Sequence, residues 1–296
     1  MQMAAPINEI SKKYADQPLN QSKLMAEYQQ LLDAYAEAGV EVEELTTDPS
    51  MTNSVFARDF GGCVKEGYIL GRFKESLRFF ERQAYEKKMA ELGIPKIVEV
   101  KNGFFEGGDF AFLNEKTIAL GMIARTDQKG FSEVQAGLAK YGYHVYPVPA
   151  DVRYLHLDMC FNLVADHLAV AYRQGLPATF LQLLNRLEIE IIPVKEAAIF
   201  QHGCNLESLG EKRVLSLAQN KTVNRQLEAH GIDVIELDIT ETLKAGGGAT
   251  LHDFSAESRI TEGASYEKGM EKSFSNCWDG LNYQSNFSWL FEQQQR

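Results

Sequence analysis

Cysteine is sparse and scattered in this chain. Its four residues, Cys63, Cys160, Cys204 and Cys277, form no CxxC or CxH pattern. That spacing excludes a zinc framework and a disulfide scaffold, and a reducing cytoplasm is the expected compartment. Long apolar runs are missing too: none reaches the about 18 residues that a membrane span requires. The opening stretch "MQMAAPINEISKKYADQPLNQ" has neither the basic start nor the long apolar core of a signal peptide. Basic residues are in deficit, with 30 Lys and Arg against 41 Asp and Glu, a formal charge of −11. Nucleic acid is therefore not the expected partner, since its backbone is gripped by basic patches. A small cationic ligand suits the balance better.

What is present is a repeat. An amphipathic helix, usually a glycine, and a strand of alternating or branched residues recur along the chain. The copies are "LLDAYAEAGVEVEEL", "YEKKMAELGIPKIVEV", "GLAKYGYHVYPVP", "LLNRLEIEIIPV" and "LEAHGIDVIELDI". They follow one another at intervals of roughly 45–55 residues. Gly39, Gly93, Gly142 and Gly231 hold the position just past each helix, and Glu188 holds it in the fourth copy. A residue there commonly turns left-handed to end the helix. Further strands, "GYILGRF", "TIALGMI", "HLAVAYR" and "KRVLSLA", precede the helices. Such units can close into a ring, and residues 1–251 read as one domain. "MQMAAP" reads as a truncated first strand of the series.

The unusual residues sit in the loops that follow the repeated strands. These loops are "SVFARDFGG", "FFEGGDF", "YLHLDMCFN", "QHGCNLESLG" and "KAGGGATLHD". Equivalent loops of a ring point to one end of its axis, so Asp59, Glu106, Asp109, His156, Asp158 and the glycine loop should converge. "FARDF" sets Arg58 and Asp59 inside an apolar strand, though taken singly Asp59 could be a turn residue or half of a structural ion pair, and "EGGD" a hairpin turn. "HLD" places His156 and Asp158 on one face of a strand by alternation, and such groups are costly to bury without a task. A metal is a weaker reading: there is one histidine and no basic cradle for a magnesium-bound phosphate. A planar guanidinium, which pairs with carboxylates through several N–H groups, suits several carboxylates better.

At "NSVFARDFGG", "FFEGGDF", "LHLDMCFN", "NLESLG" and "LKAGGGAT" the chain resembles the guanidino-group-modifying, or pentein, superfamily. Its members are arginine deiminases, dimethylarginine dimethylaminohydrolases, arginine dihydrolases and amidinotransferases. The resemblance implies an α/β fold, a five-bladed pseudo-symmetric propeller. It implies that Asp59 and Asp158 bind the substrate guanidinium and that Glu106 anchors it and supports His156. His156 would be general acid and then general base, and Asp109 a support of the site. Arg125 and Arg72 would bind a substrate carboxylate. It calls for an arginine-like cationic substrate and no cofactor, metal, nucleic acid or membrane, and leaves room for a homodimer.

The family attacks the guanidinium carbon with a cysteine thiolate three residues after the glycine run. Leu251 stands there in this chain. A leucine is no nucleophile, so the chain as given is expected to be inactive. A binding protein without turnover is one reading; a reading-frame shift is another. Leu251 to Ser255 written as CTG-CAT-GAC-TTT-AGC and read one nucleotide later encodes Cys-Met-Thr-Leu-Ala, a family-like ending. Residues 252–296 lack a clean helical or strand period, hold both tryptophans, Trp278 and Trp289, and end in "EQQQR". They read as an atypical tail, and sequencing the gene across codons 248–262 decides its origin.

Overall fold

The computed structural model describes residues 14, 16–47, 51, 53–244 and 287–292. The expectations for "MQMAAP", for the glycine loop with Leu251 and for most of the tail lie outside these residues. The fold class is α/β. The described chain opens with helix α1, Gln21–Glu37, capped by the Asn20 side chain on Lys23 N–H at 3.1 Å, and strand β1, Glu41–Thr46.

Four sheets then share one plan. The first holds β2 (Gly61–Val64), β3 (Gly67–Leu70) and β4 (Lys96–Glu99). The second holds β5 (Phe110–Asn114), β6 (Thr117–Met122) and β7 (His144–Pro149). The third holds β8 (Phe161–Ala165), β9 (Leu168–Ala171) and β10 (Glu190–Pro193). The fourth holds β11 (Glu207–Gly210), β12 (Arg213–Leu217) and β13 (Asp233–Leu237). In each, the first two strands form an antiparallel hairpin and the third lies parallel to the second. A parallel partner needs a crossover. Helices α2 (Glu81–Glu91), α3 (Gln128–Ala139), α4 (Ala178–Arg186), the short α5 (Glu196–Ile199, after β10) and α6 (Lys221–Ala229) follow in the chain, and all but α5 are these crossovers. A fifth, two-stranded sheet pairs β1 in parallel with β14, Phe287–Glu292.

The helix ends obey the sequence rule. Gly39, Gly93, Gly142 and Gly231 take φ of 74°, 71°, 79° and 77°, and Glu188 takes the same turn at 56°. Each turn sends the chain from a helix back into a sheet. The sheets are walled by apolar clusters, one of which joins Val98, Phe105, Ile118, Val134 and Leu138 beneath α3. First strands of neighbouring sheets also touch. Asn162 donates to Leu206 O, and Ser208 Oγ donates to Val164 O at 3.0 Å, tying β8 to β11. Within each sheet the first strand starts and the third ends at the same end, and the described loops carrying Asp59, Glu106, Asp109, His156 and Asp158 meet one another.

Candidate active site

Asp59 lies in a turn, not in the strand its apolar neighbours suggest. Residues Ala57–Phe60 form one 3-10 turn. Phe60 buries its ring against Tyr68 and Tyr85, at centroid distances of 5.8 and 4.3 Å, which turns Asp59 away from that cluster. Its Oδ2 accepts from Arg78 Nη1 at 2.5 Å. Its Oδ1 is buried with no hydrogen-bond partner among the described residues and faces His156 Nδ1 at 3.7 Å.

Arg78 is a residue that sequence reasoning missed. It is fully buried. Its Nε and Nη2 donate to Glu81 at 3.0 and 2.9 Å, and Nη2 also reaches the Phe56 carbonyl at 3.0 Å. The Phe73 ring lies 4.2 Å from its guanidinium carbon. Burial opposes its charge, but Glu81 and Asp59 outweigh burial and hold the guanidinium protonated. The Arg78–Glu81 spacing of three was the available signal, since such pairs meet on one helical face.

Glu106 is wholly buried at the entrance of the Gly107–Asp109 turn. Its Oε1 accepts from Lys74 N–H at 2.9 Å, and its Oε2 lies 3.0 Å from His156 Nε2. Arg125 Nη1 lies 3.4 and 3.5 Å from the two oxygens. "EGGD" is thus a 3-10 turn between sheets, not a hairpin. Its glycines are steric requirements: a Cβ on Gly107 would sit 1.9 Å from Gly61 O, and one on Gly108 would sit 2.7 Å from His156 Nδ1.

His156 and Asp158 are not on one face of a strand. His156 precedes a 3-10 turn over Leu157–Met159, and β8 begins only at Phe161. Leu155, at φ 65°, turns the chain just before the histidine. The alternation rule therefore fails here. His156 faces Asp59 and Glu106, whereas Asp158 lies near Asp109, Cys160 and Cys204. Asp109 is buried and accepts from Leu157 N–H at 2.9 Å and from Thr126 Oγ1 at 2.7 Å. Cys160 and Cys204 are buried thiols whose pKa burial pushes up, as core residues require.

The electrostatics follow from this company. Burial alone would strip the proton from His156. Asp59, the Glu106 hydrogen bond and Asp109 outweigh it and raise the imidazole to about 10. Burial would also protonate Glu106, but His156 and Arg125 hold it low, at about 2. Asp109 is pushed up to about 7 because burial dominates over its donors. At neutral pH the centre is an imidazolium clasped by carboxylates.

The two expected carboxylate-binding arginines part company. Arg125 is buried against Glu106, with Glu75 at 3.7 Å. Arg72 is half-buried; it donates to Gly103 O at 3.2 Å and lies over the rings of Phe104 and Phe79. One atom each of Asp59, Glu106 and His156 lies within 4.8 Å of the others, a spacing a metal ion could use. Arg78, Arg125 and His156 already compensate these carboxylates, so a metal would have to displace protein cations. Leu251 and the glycine loop lie outside the described residues.

Repeated hairpin–helix–strand units with a buried imidazole–carboxylate cluster agree with what the comparisons show, a member of the pentein superfamily. Residues 1–251 match the family model described as "N,N dimethylarginine dimethylhydrolase, eukaryotic", and the chain belongs to that family. It is 29% identical over 241 residues to the uncharacterized protein YkgA of Bacillus subtilis, covering 81% of this chain and 82% of that one. It is 27% identical to an N(G),N(G)-dimethylarginine dimethylaminohydrolase of Mycobacterium tuberculosis, over 78% of this chain and 74% of the relative. The N-terminal domain of ArgZ, a cyanobacterial arginine dihydrolase bound to product, superposes with a TM-score of 0.75 at 22% identity, covering 84% and 91% of the two chains.

Proposed function

We propose that this chain is built to hold an arginine-like guanidino compound. The observation that carries the reading is the open Asp59 oxygen beside an imidazolium that Glu106 locks in place. A guanidinium offers planar N–H donors to such carboxylates. The dimethylaminohydrolase and arginine dihydrolase relatives act on compounds of this class. Arg125 and Arg72 are the proposed ligands of a substrate carboxylate, Asp158 a second guanidinium ligand, and Asp109 a support. The finer fold reading, a five-bladed ring, is supported by the four sheets of one plan. Residues 1–251 form its catalytic-type domain, with 252–296 an atypical tail.

The reaction of the class divides between a nucleophile and His156. A thiolate forms a bond to the guanidinium carbon. The C–N bond to the leaving amine breaks as the His156 imidazolium gives that nitrogen its proton. His156, now neutral, takes a proton from water or an amine that displaces the sulfur. Water gives hydrolysis and an amine gives amidino transfer. Leu251 stands at the nucleophile position, so this chain is proposed to bind without turnover. Whether it is a binding protein or a frame-shifted enzyme is decided by the gene sequence across codons 248–262. Among the described residues, no helix is long and apolar enough to cross a membrane.

The test is arginine and dimethylarginine turnover by the chain as given and by Leu251→Cys, made alone and with the Cys-Met-Thr-Leu-Ala ending. The chain as given is expected to release no citrulline or ornithine, and a repaired chain is expected to turn over at least one substrate. If the repaired chains are folded yet silent, and calorimetry detects no guanidino ligand, the reading fails.

A further inference from the structure

The turn over Ala124 to Asp127 touches both loops that build the acid–base pair. Ala124 N–H donates to Leu155 O at 3.2 Å, one residue before His156. Arg125 meets Glu106. Asp127 accepts from Phe104 N–H at 3.0 Å and returns its own N–H to Phe104 O at 3.1 Å. Between them Thr126 is buried, with 5% of its surface exposed. Its Oγ1 accepts a long hydrogen bond from Glu106 N–H, 3.4 Å, and donates to Asp109 Oδ2 at 2.7 Å. Asp109 Oδ1 then accepts from Leu157 N–H at 2.9 Å. One hydroxyl thus stands on a continuous chain of hydrogen bonds from the backbone of Glu106 to the residue after His156.

We propose that Thr126 is a positioning residue: through Asp109, its hydroxyl sets the 3.0 Å contact between Glu106 and His156. The assignment rests on the acid–base reading of the site for its consequence, and on the geometry alone for its substance. Three facts make the hydroxyl hard to replace. It accepts and donates at once, which among uncharged residues of this size only a hydroxyl does. Asp109 is fully buried, so losing the Thr126 donor leaves one oxygen of a buried carboxyl group unsatisfied. The carboxylate is also walled in, since a Cβ on Gly121 would lie 2.2 Å from its Oδ1.

His156 itself reports on the arrangement. The charged groups facing it are Asp59 at 3.7 Å, Glu106 at 3.0 Å and Asp109, with Arg78 and Arg125 behind the first two. If Thr126 holds this cage in register, removing its hydroxyl loosens the carboxylates around the imidazolium and eases loss of its proton.

The experiment needs no nucleophile and uses the full chain as it is. Uniform 15N labelling of histidine gives six imidazoles to follow; His156 is assigned by its loss in His156→Gln. Thr126→Val keeps the shape and removes the hydroxyl, and Thr126→Ser keeps the hydroxyl. The expected result is a His156 midpoint lowered by about one pH unit or more in Thr126→Val and moved by at most a few tenths in Thr126→Ser. A Val variant that titrates like the parent, or a Ser variant that shifts as far as Val, overturns the proposal. Should the Val variant not fold, Thr126→Ala removes the same hydroxyl without added bulk and leaves every charge in place, and an unshifted His156 there is equally decisive. Guanidino binding is measured separately, so a chain that binds no such ligand defeats the functional reading without touching this one.

Discussion

Two histidines occupy corresponding loops of successive units and share nearly the same burial. His156 is 1% exposed and His202 is 3% exposed. Their chemistry is opposite. His156 is raised to about 10 by the carboxylates around it. His202, whose ring nitrogens both lack a hydrogen-bond partner among the described residues, is lowered by burial to about 4. Burial alone does not set the charge of an imidazole; the charges brought to its side do. His156 faces three acids from two loops, Asp59 from one and Glu106 and Asp109 from the next, whereas burial alone sets the shift of His202.

The comparison breaks most forcefully at Glu106. Glu106→Ala leaves His156 and Arg125 facing a buried gap. It is expected to cost about 3–5 kcal/mol in chemical denaturation and to bring the His156 midpoint down toward that of an ordinary imidazole.

Next in size is the contrast in pH dependence. His202 has a folded pKa below its unfolded value, so its contribution is present above pH 6.5 and is lost as pH falls toward about 4. His156 has a raised pKa. Its contribution is complete below pH 6.5 and is lost as pH rises through about 10. His202→Leu should therefore remove roughly 2–3 kcal/mol of the acid-side loss and leave the alkaline limb unchanged. His156→Gln should do the reverse. Urea midpoints at pH 4.5, 6.5 and 9.5 separate the two, and a common response would erase the distinction.

The smallest effect sharpens the repeat rather than the site. Glu188 holds a left-handed turn that glycine holds in the other copies. Glu188→Gly is expected to raise stability by about 1 kcal/mol, read from the thermal midpoint.

Much of the fold was legible in the sequence. Helix-ending glycines and the strands after them were marked by local backbone demands, and Gly39, Gly93, Gly142 and Gly231 take the conformation their positions require. The loops carrying Asp59, Glu106 and His156 were legible because the repeat put them in register, and the structure brings those three together. What escaped depends on partners distant in sequence. Alternation cannot tell a short 3-10 turn from a strand, so "HLD" and "FARDF" looked extended until neighbouring turns were seen to pack against them. Arg78, in "KESLRFFE", went unread because nothing local announces that Asp59, nineteen residues upstream, will meet it. Thr126 carries no signal at all, since its role is defined by Glu106 and Asp109 together.

The crowding at Gly107 and Gly108 has a consequence for how this centre can be altered. Both positions reject even a methyl group, because one would strike the Gly61 and Arg58 carbonyls and the other the imidazole itself. The ground nearest the imidazole is therefore closed to substitution. Any retuning of what the molecule accepts has to enter from the outer rim, at side chains such as the half-buried Arg72 and the exposed Lys74. A library that randomises the rim and spares the two glycines will return folded variants; one centred on the glycines will return almost none.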